Sequence, residues 1–274
     1  MFLYLEKIVP IRKILMIIAI VCFFYGVFSM YMTETYTATE QLQTPSMLSP
    51  TQGFVITMNN ETGYQVAEAL KSAFEIEDMH VVIGHVGNYS TLPFYNRHLM
   101  RHGRTDGLQV GNLRMLGCIE SHREVWTRIQ QDSYIFEHDT VPAKNALHVV
   151  KTLLSDNANR HWSVITLQIP NGFVPKYSFF EGMAQYTNIG QVTQTCVDCV
   201  AYGARGYIIT KAAARILLQN YDPPVVQVDA YISLLNAYHP DFKNVWTRMQ
   251  AVDWIPQPST AQESFEWFRD VGFG

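Results

Sequence analysis

Charge of either sign is scarce in this chain. Charged residues make up 16% of its 274, with 20 Lys and Arg against 24 Asp and Glu, for a formal net charge of −4. Binding nucleic acid through its phosphates needs a basic stripe. Neither an arginine-rich segment nor an aromatic RNA-binding box occurs, so no nucleic-acid partner is expected. Cysteine is also sparse, at four residues. Cys196 and Cys199 form one Cys-x-x-Cys with no second Cys or His pair at the usual spacing, which leaves a structural zinc site short of ligands. The pair precedes a strand-like run instead of opening a helix after one, so redox catalysis fits poorly. In an oxidising compartment a local disulfide, or a link to Cys118, fits at least as well. No internal repeat or low-complexity block is present.

Between Ile14 and Met32 there is no charged residue at all. Roughly 20 apolar residues at about 1.5 Å each match a hydrocarbon core of about 30 Å. Lys7, Arg12 and Lys13 precede the run, and Glu34 and Glu40 follow it. The positive-inside tendency then leaves the N-terminus in the cytosol and the body on the lumenal side. A cleaved signal peptide ending near Ala38 is the alternative, but its apolar core would be shorter. The expected organisation is a cytosolic tail at 1–13, a signal-anchor at 14–32, a Thr-, Gln-, Ser- and Pro-rich stem at 33–52, and a lumenal domain at 53–274. About 220 residues suffice for one α/β core. Asn60-Glu61-Thr62 and Asn88-Tyr89-Ser90 fit the N-glycosylation pattern.

Within that domain, Phe54–Met58 reads as a buried strand, Tyr64–Phe74 as a helix and His80–Gly84 as a second strand, which makes a βαβ unit with a parallel pairing. Arg97, His98, Arg101, His102 and Arg104 crowd a polar stretch expected to be an exposed loop. Helical pattern returns from Leu116 to Ile129, and strands are expected at Tyr134–Phe136, Trp162–Leu167 and Gly203–Ile209. Thr210 suits the N-cap of a helix through Leu218, with Asn220 and Pro223-Pro224 ending it; Asp229–Tyr238 suits another helix. Alternating strands and helices imply an α/β sandwich.

The sharpest local feature is Tyr134-Ile135-Phe136-Glu137-His138-Asp139, an apolar strand running into two carboxylates two residues apart. If the strand continues through Asp139, Glu137 and Asp139 share a face. Ligands of open α/β sheets bind beyond the strands' C-terminal ends, and paired carboxylates favour a hard divalent cation such as Mn2+ or Mg2+ that also grips a substrate diphosphate. A solvent-exposed turn would explain the same residues without a metal.

Upstream stands Gly117-Cys118-Ile119-Glu120-Ser121-His122, followed by Trp126 and then the strand carrying Glu137. This order resembles glycosyltransferase family 25, the lipopolysaccharide-type and collagen-type galactosyl- and glucosyltransferases. Its members carry a Gly-Cys-x-x-Ser-His segment, a helix with an aromatic, and an apolar strand ending in Glu-Asp-Asp. Ala201-Tyr202-Gly203 through Ile209, Ala212-Ala213 and the Pro224–Asp229 turn resemble later parts of the family pattern, so the likeness runs from about Phe54 to Tyr238. It implies a GT-A-like fold with a mostly parallel central sheet and an inverting transfer of a hexose, galactose or glucose, from a nucleotide-sugar such as a UDP-hexose. The acceptor would be a glycan, lipid-linked or protein hydroxyl, in the ER or Golgi lumen.

Glu137 and Asp139 would hold the metal. Thr57, Asn59, Asn60, Gly117, Ser121, His122, Glu137 and Tyr202 would line the donor site, and Asp229 would be the base. Each has a plainer reading. Ser121 and Glu124 fit a capping box, His122 fits packing against the sheet, Asn59 and Asn60 suit a turn, and Asp229 suits a helix cap near Ala230. Two departures from the family pattern stand out: His138 replaces its central Asp, and Thr57–Thr62 carries no Arg where the family's first loop is basic. They keep open a family fold that has lost catalysis and serves as a membrane-tethered glycan-binding or assembly protein.

Overall fold

The computed structural model describes residues 49–88, 113–169, 173–174, 186–196, 200–201, 204–221 and 227–254. The expected anchor and nearly all of the stem, the basic run at 97–104, Cys199 and Tyr202 lie outside them. Among the described residues no helix is long and apolar enough to cross a membrane.

In chain order the elements are β1 (Gln52–Thr57), α1 (Asn60–Phe74), β2 (Asp78–Ile83), α2 (Leu113–Arg128), β3 (Ser133–Glu137), β4 (Thr140–Pro142), α3 (Ala146–Asp156), β5 (Val164–Thr166), β6 (Phe173–Val174), β7 (Tyr186–Asn188), β8 (Thr193–Cys196), β9 (Val200–Ala201), β10 (Gly206–Ile209), α4 (Lys211–Gln219), α5 (Val228–Tyr238), β11 (Asn244–Thr247) and β12 (Val252–Trp254). Eight strands form one sheet in the order β2-β1-β3-β10-β5-β11-β8-β7, with β12–β4 and β6–β9 as separate pairs. The pairings β1–β2, β1–β3 and β5–β11 are parallel; β3–β10, β10–β5, β11–β8 and β8–β7 are antiparallel. Traced across the sheet, all strands but β8 and β10 point one way, so the sheet is mixed and mostly parallel in direction.

Strand alternation sorts the core into two layers. Phe54, Ile56, Ile135, Tyr207 and Ile209 face α2, α4 and α5, while Val55, Tyr134, Phe136 and Ile208 face α1 and α3. All six residues of β1 are buried, as a central parallel strand covered on both faces requires. In α1 the stripe Val66, Ala67, Leu70 and Phe74 is buried, and the helix ends at Glu75 in the left-handed region with φ 56°. Helix α3 was not expected. Its stripe of Ala146, Val149, Val150, Leu153 and Leu154 is nonetheless a clear helical period.

At the far edge of the sheet, the Asp156 carboxylate accepts from the Gln191 and Val192 N–H groups (3.0 and 3.1 Å) and from the Thr193 hydroxyl (2.7 Å). Partial burial pushes its pKa up, but these three bonds outweigh it and hold the carboxyl below its ordinary value. A depressed folded-state pKa gives stability that is complete above the unfolded value and lost as pH falls through the folded one. Asp156→Asn should therefore lower stability by about 1 kcal/mol at pH 7. The gap to the parent should begin to narrow as pH falls below the unfolded value near 3.8 and close below the lower folded value, as urea melts from pH 7 down into the acid range would show.

Candidate functional site

The site is built where β3 ends beneath α2. Alternation turns Ile135 and Glu137 to the α2 side, and Tyr207 of β10, registered opposite Ile135, to the same side. Cys118 and His122 lie one turn apart on α2 and so project together onto that strand end. His122 has no exposed side-chain surface, and its Nε2 lies 3.2 Å from Glu137 Oε1. Its ring stacks on Tyr207 at 5.7 Å with an interplanar angle of 18°. His122 thus packs against the sheet, as one of its two readings held, and does so in contact with the acidic group.

The strand does not run on to Asp139. It stops at Glu137, and His138 and Asp139 form a turn into β4, with the residues on both sides of that turn tied to Arg205. Glu137 N–H and the Thr140 hydroxyl both donate to the Arg205 carbonyl, at 2.8 and 2.7 Å. The expectation of a shared face from strand alternation is thereby corrected. The two carboxylates are still within electrostatic reach. Burial and then the Glu137 charge raise the Asp139 pKa, against the pull of Arg205, whose Nε lies 3.4 Å from Asp139 Oδ2. Asp139 Oδ1 is buried without a hydrogen-bond partner among the described residues. Burial would likewise raise Glu137, but the hydrogen bond from His122, with the charges of Arg205 and His138, holds it below the usual carboxylate range. An unpartnered buried oxygen of Asp139, within electrostatic reach of the charged Glu137 carboxylate, offers the oxygen chemistry a hard divalent cation takes.

Asp229 reaches the same place from a distant part of the chain. Burial raises the Cys118 thiol, and the charges of Glu137, Asp229 and Asp139 raise it further. The charges of all three carboxylates are therefore felt at one sulfur. Asp229 sits in the first turn of α5, whose N-cap position is Gln227, so it is not the cap residue itself; its Oδ1 still accepts from the Ala230 N–H at 2.9 Å, which keeps the helix-terminus reading open. Tyr231 on the same helix donates to the Leu217 carbonyl at 2.7 Å and packs on Trp126, which ties α5 to α4 and α2.

Other expectations fare differently. Ser121 is no cap, since α2 begins eight residues earlier, at Leu113. Its hydroxyl donates to the Gly117 carbonyl at 2.6 Å and accepts from the His85 N–H at 2.8 Å, while Glu124 pairs with Arg128. Gly117 admits the 85–87 backbone: a Cβ there would collide with the His85 carbonyl oxygen and lie 3.0 Å from the Gly87 nitrogen. Cys118 is a free thiol, so no link to Cys196 or Cys199 forms; its Sγ lies 3.8 Å from Glu137 Oε1. Thr57 is buried, and its hydroxyl is taken up by the Asn59 backbone. Asn59 caps α1, accepting from Glu61 and Thr62 at 2.9 and 3.3 Å, which is its turn reading. Asn60 is exposed at the start of α1, just beyond the C-terminal end of β1. Asn59→Ala should cost about 1 kcal/mol, read by thermal melting, and leave a nucleotide-sugar KM within twofold. Arg205 and Tyr207 were missed as site residues. The strand run through Ile209 contained both, but no local pattern marks a residue for pairing across the sheet.

With this geometry in view, comparison bears on the family. The sequence model of glycosyltransferase family 25 (LPS biosynthesis protein) matches residues 112–232. Those residues form a family-25 segment, a little under half of the chain.

The family-25 segment holds Cys118, His122, Glu137, Asp139, Arg205, Tyr207 and Asp229 and supports a transferase; Thr57, Asn59 and Asn60 precede it. No curated protein matches this chain at the sequence level. Among solved structures, it is similar to the UTP-bound UGPase from Acinetobacter baumannii, at 11% identity and TM-score 0.43, covering 81% of this chain and 99% of that one. A putative glucose-1-phosphate thymidylyltransferase from Bacillus anthracis in complex with a sucrose aligns at 10% identity and TM-score 0.39, over 81% and 97% of the two chains. A glycosyltransferase involved in glycosylation of the major capsid of PBCV-1 aligns at 10% identity and TM-score 0.34, over 79% and 98%.

Proposed function

We propose that this chain is a metal-dependent hexosyltransferase that moves galactose or glucose from a UDP-sugar to a hydroxyl of a glycan, lipid-linked or protein acceptor, with inversion. The observation that carries the reading is the pairing of Glu137, one oxygen held by His122, with Asp139, one oxygen buried and unpartnered. These two side chains would hold Mn2+ or Mg2+. A cation bound there supplies Lewis-acid neutralisation of the departing diphosphate. Asp229, whose charge is felt at the Cys118 sulfur, would take the acceptor proton, and Asn60, exposed just beyond β1, would meet the nucleoside. Burial of His122 and Tyr207 beneath the carboxylates excludes water from their inner side. The apolar run at 14–32 supports a type II signal-anchor, with the domain in the ER or Golgi lumen.

A second reading, a family fold without catalysis, is favoured by the absence of Arg from the loop after β1, where Asn59 serves only as a cap. The purified full-length chain should release UDP from UDP-galactose or UDP-glucose when Mn2+ is present and not when it is chelated. No turnover of any common nucleotide-sugar, together with no Mn2+-dependent binding of UDP, would establish the second reading.

A further inference from the structure

Trp126, Tyr207, His122 and Glu137 form an unbroken run of hydrogen bonds in a dry interior. Trp126 Nε1 lies 3.0 Å from Tyr207 Oη, Tyr207 Oη lies 2.8 Å from His122 Nδ1, and His122 Nε2 lies 3.2 Å from Glu137 Oε1. Trp126, Tyr207 and His122 are each at most 1% exposed, so water cannot stand in for any partner. The direction of each bond then follows from what the groups can do. An indole N–H only donates. Tyr207 Oη therefore accepts from Trp126, and its own proton goes to its other neighbour, His122 Nδ1. With Nδ1 accepting, the ring proton sits on Nε2, which faces Glu137.

We infer that Tyr207 locks His122 as the neutral Nε2–H tautomer, and that His122 so locked is a positioning residue: it holds Glu137 Oε1 by donation and leaves Oε2 for the cation. This rests on the metal reading above. The Cys118 thiol, held protonated by burial and its carboxylate neighbours, points at the same Oε1 from 3.8 Å. Among the described residues Oε2 has no hydrogen-bond partner, so the two oxygens of one carboxylate have divided tasks. Outer hydrogen bonds of this kind orient metal-binding carboxylates and set their affinity.

The rival is a zinc site made of the same atoms. Cys118 Sγ, His122 Nε2 and a Glu137 oxygen lie within 4.8 Å of one another, and sulfur, nitrogen and oxygen are all zinc ligands. Nε2 can bind a metal only without its proton. That proton would move to Nδ1, and the Tyr207 proton would then be buried with no acceptor. The hydrogen-bond directions select against zinc.

Two measurements on the full-length chain test this. Nitrogen-15 NMR of the imidazole rings, with His122 assigned by its loss in His122→Gln, should show the neutral Nε2–H form. Manganese binding, followed by the EPR signal of free Mn2+ without nucleotide, should weaken about tenfold to a hundredfold in Tyr207→Phe and His122→Leu. It should stay within about threefold in His122→Gln, whose amide N–H can still donate. Asp156→Asn, which loosens the remote sheet edge, should leave manganese affinity unchanged and so separates positioning from lost stability. An Nδ1–H tautomer, or manganese affinity in Tyr207→Phe equal to the parent, would overturn the inference while leaving the metal reading standing. A sulfur-to-metal charge-transfer band in the Co2+-loaded chain would overturn it in favour of the zinc-type site. A parent chain that binds neither Mn2+ nor Mg2+ would sink both the metal reading and this one.

Discussion

Glu137→Gln is expected to lower Mn2+-dependent sugar transfer about a thousandfold with the fold intact. The amide is nearly the size and shape of the carboxylate. Its oxygen can still accept from His122 Nε2–H and from the Cys118 thiol, so the hydrogen bonds on the inner side survive. What changes is the outer atom, where an NH2 with no lone pair to offer replaces a charged oxygen. Lewis-acid stabilisation of a leaving diphosphate is worth several kcal/mol, and each 1.36 kcal/mol is a factor of ten in rate, so losing about 4 kcal/mol gives roughly that figure. Stability should not fall. The Glu137 charge raises the Asp139 pKa, and removing it relieves a like-charge contact. Nucleoside diphosphate release and a thermal melt on the same sample check both halves. Transfer within tenfold of the parent would mean that Glu137 does not hold the cation. A collapsed melt would mean that the carboxylate is structural.

Gly117→Ala is expected to cost about 3 kcal/mol, although Gly to Ala inside a helix ordinarily gains about 1 kcal/mol. The sign reverses because of what lies against the helix. A Cβ at 117 collides with the His85 carbonyl oxygen, and one at Gly87 collides with the Leu113 carbonyl oxygen and lies 3.1 Å from Gly117 N. Two backbones meet through two glycines, and neither has a side chain that can swing aside. The 85–87 segment must lift, and its His85 N–H then loses the Ser121 hydroxyl at 2.8 Å. For a domain of this size the melting temperature should drop by roughly 6–12 °C, at about 2–4 °C per kcal/mol. If Gly117 instead served mainly to admit the donor, the melt would hold and the nucleotide-sugar KM would rise.

How much of this could be read from residue order depends on how far apart the interacting groups are. The βαβ opening was legible because each part announces itself locally: a continuous apolar run for β1, an Asn cap and a 3.6-residue stripe for α1, another apolar run for β2. The Thr210 cap was legible for the same reason, and its hydroxyl does accept from the Ala213 N–H at 3.1 Å. Ser121 misled because Ser-x-x-Glu fits a capping box, yet the partner its hydroxyl found lies 36 residues away. The short strands β7, β8, β11 and β12 carry too few residues to show a period, and only their neighbours make them strands.

The acidic pair, its strand and the Cys-x3-His face of α2 were thus present in the order of residues, and with them the family resemblance. That Glu137 meets His122, that Asp139 turns away to Arg205, and that Asp229 arrives from a helix opening at Val228 was settled by packing. Periodicity dictates which way a side chain points from its own element. Only the stacking of elements into layers decides which charges end up within reach of one another.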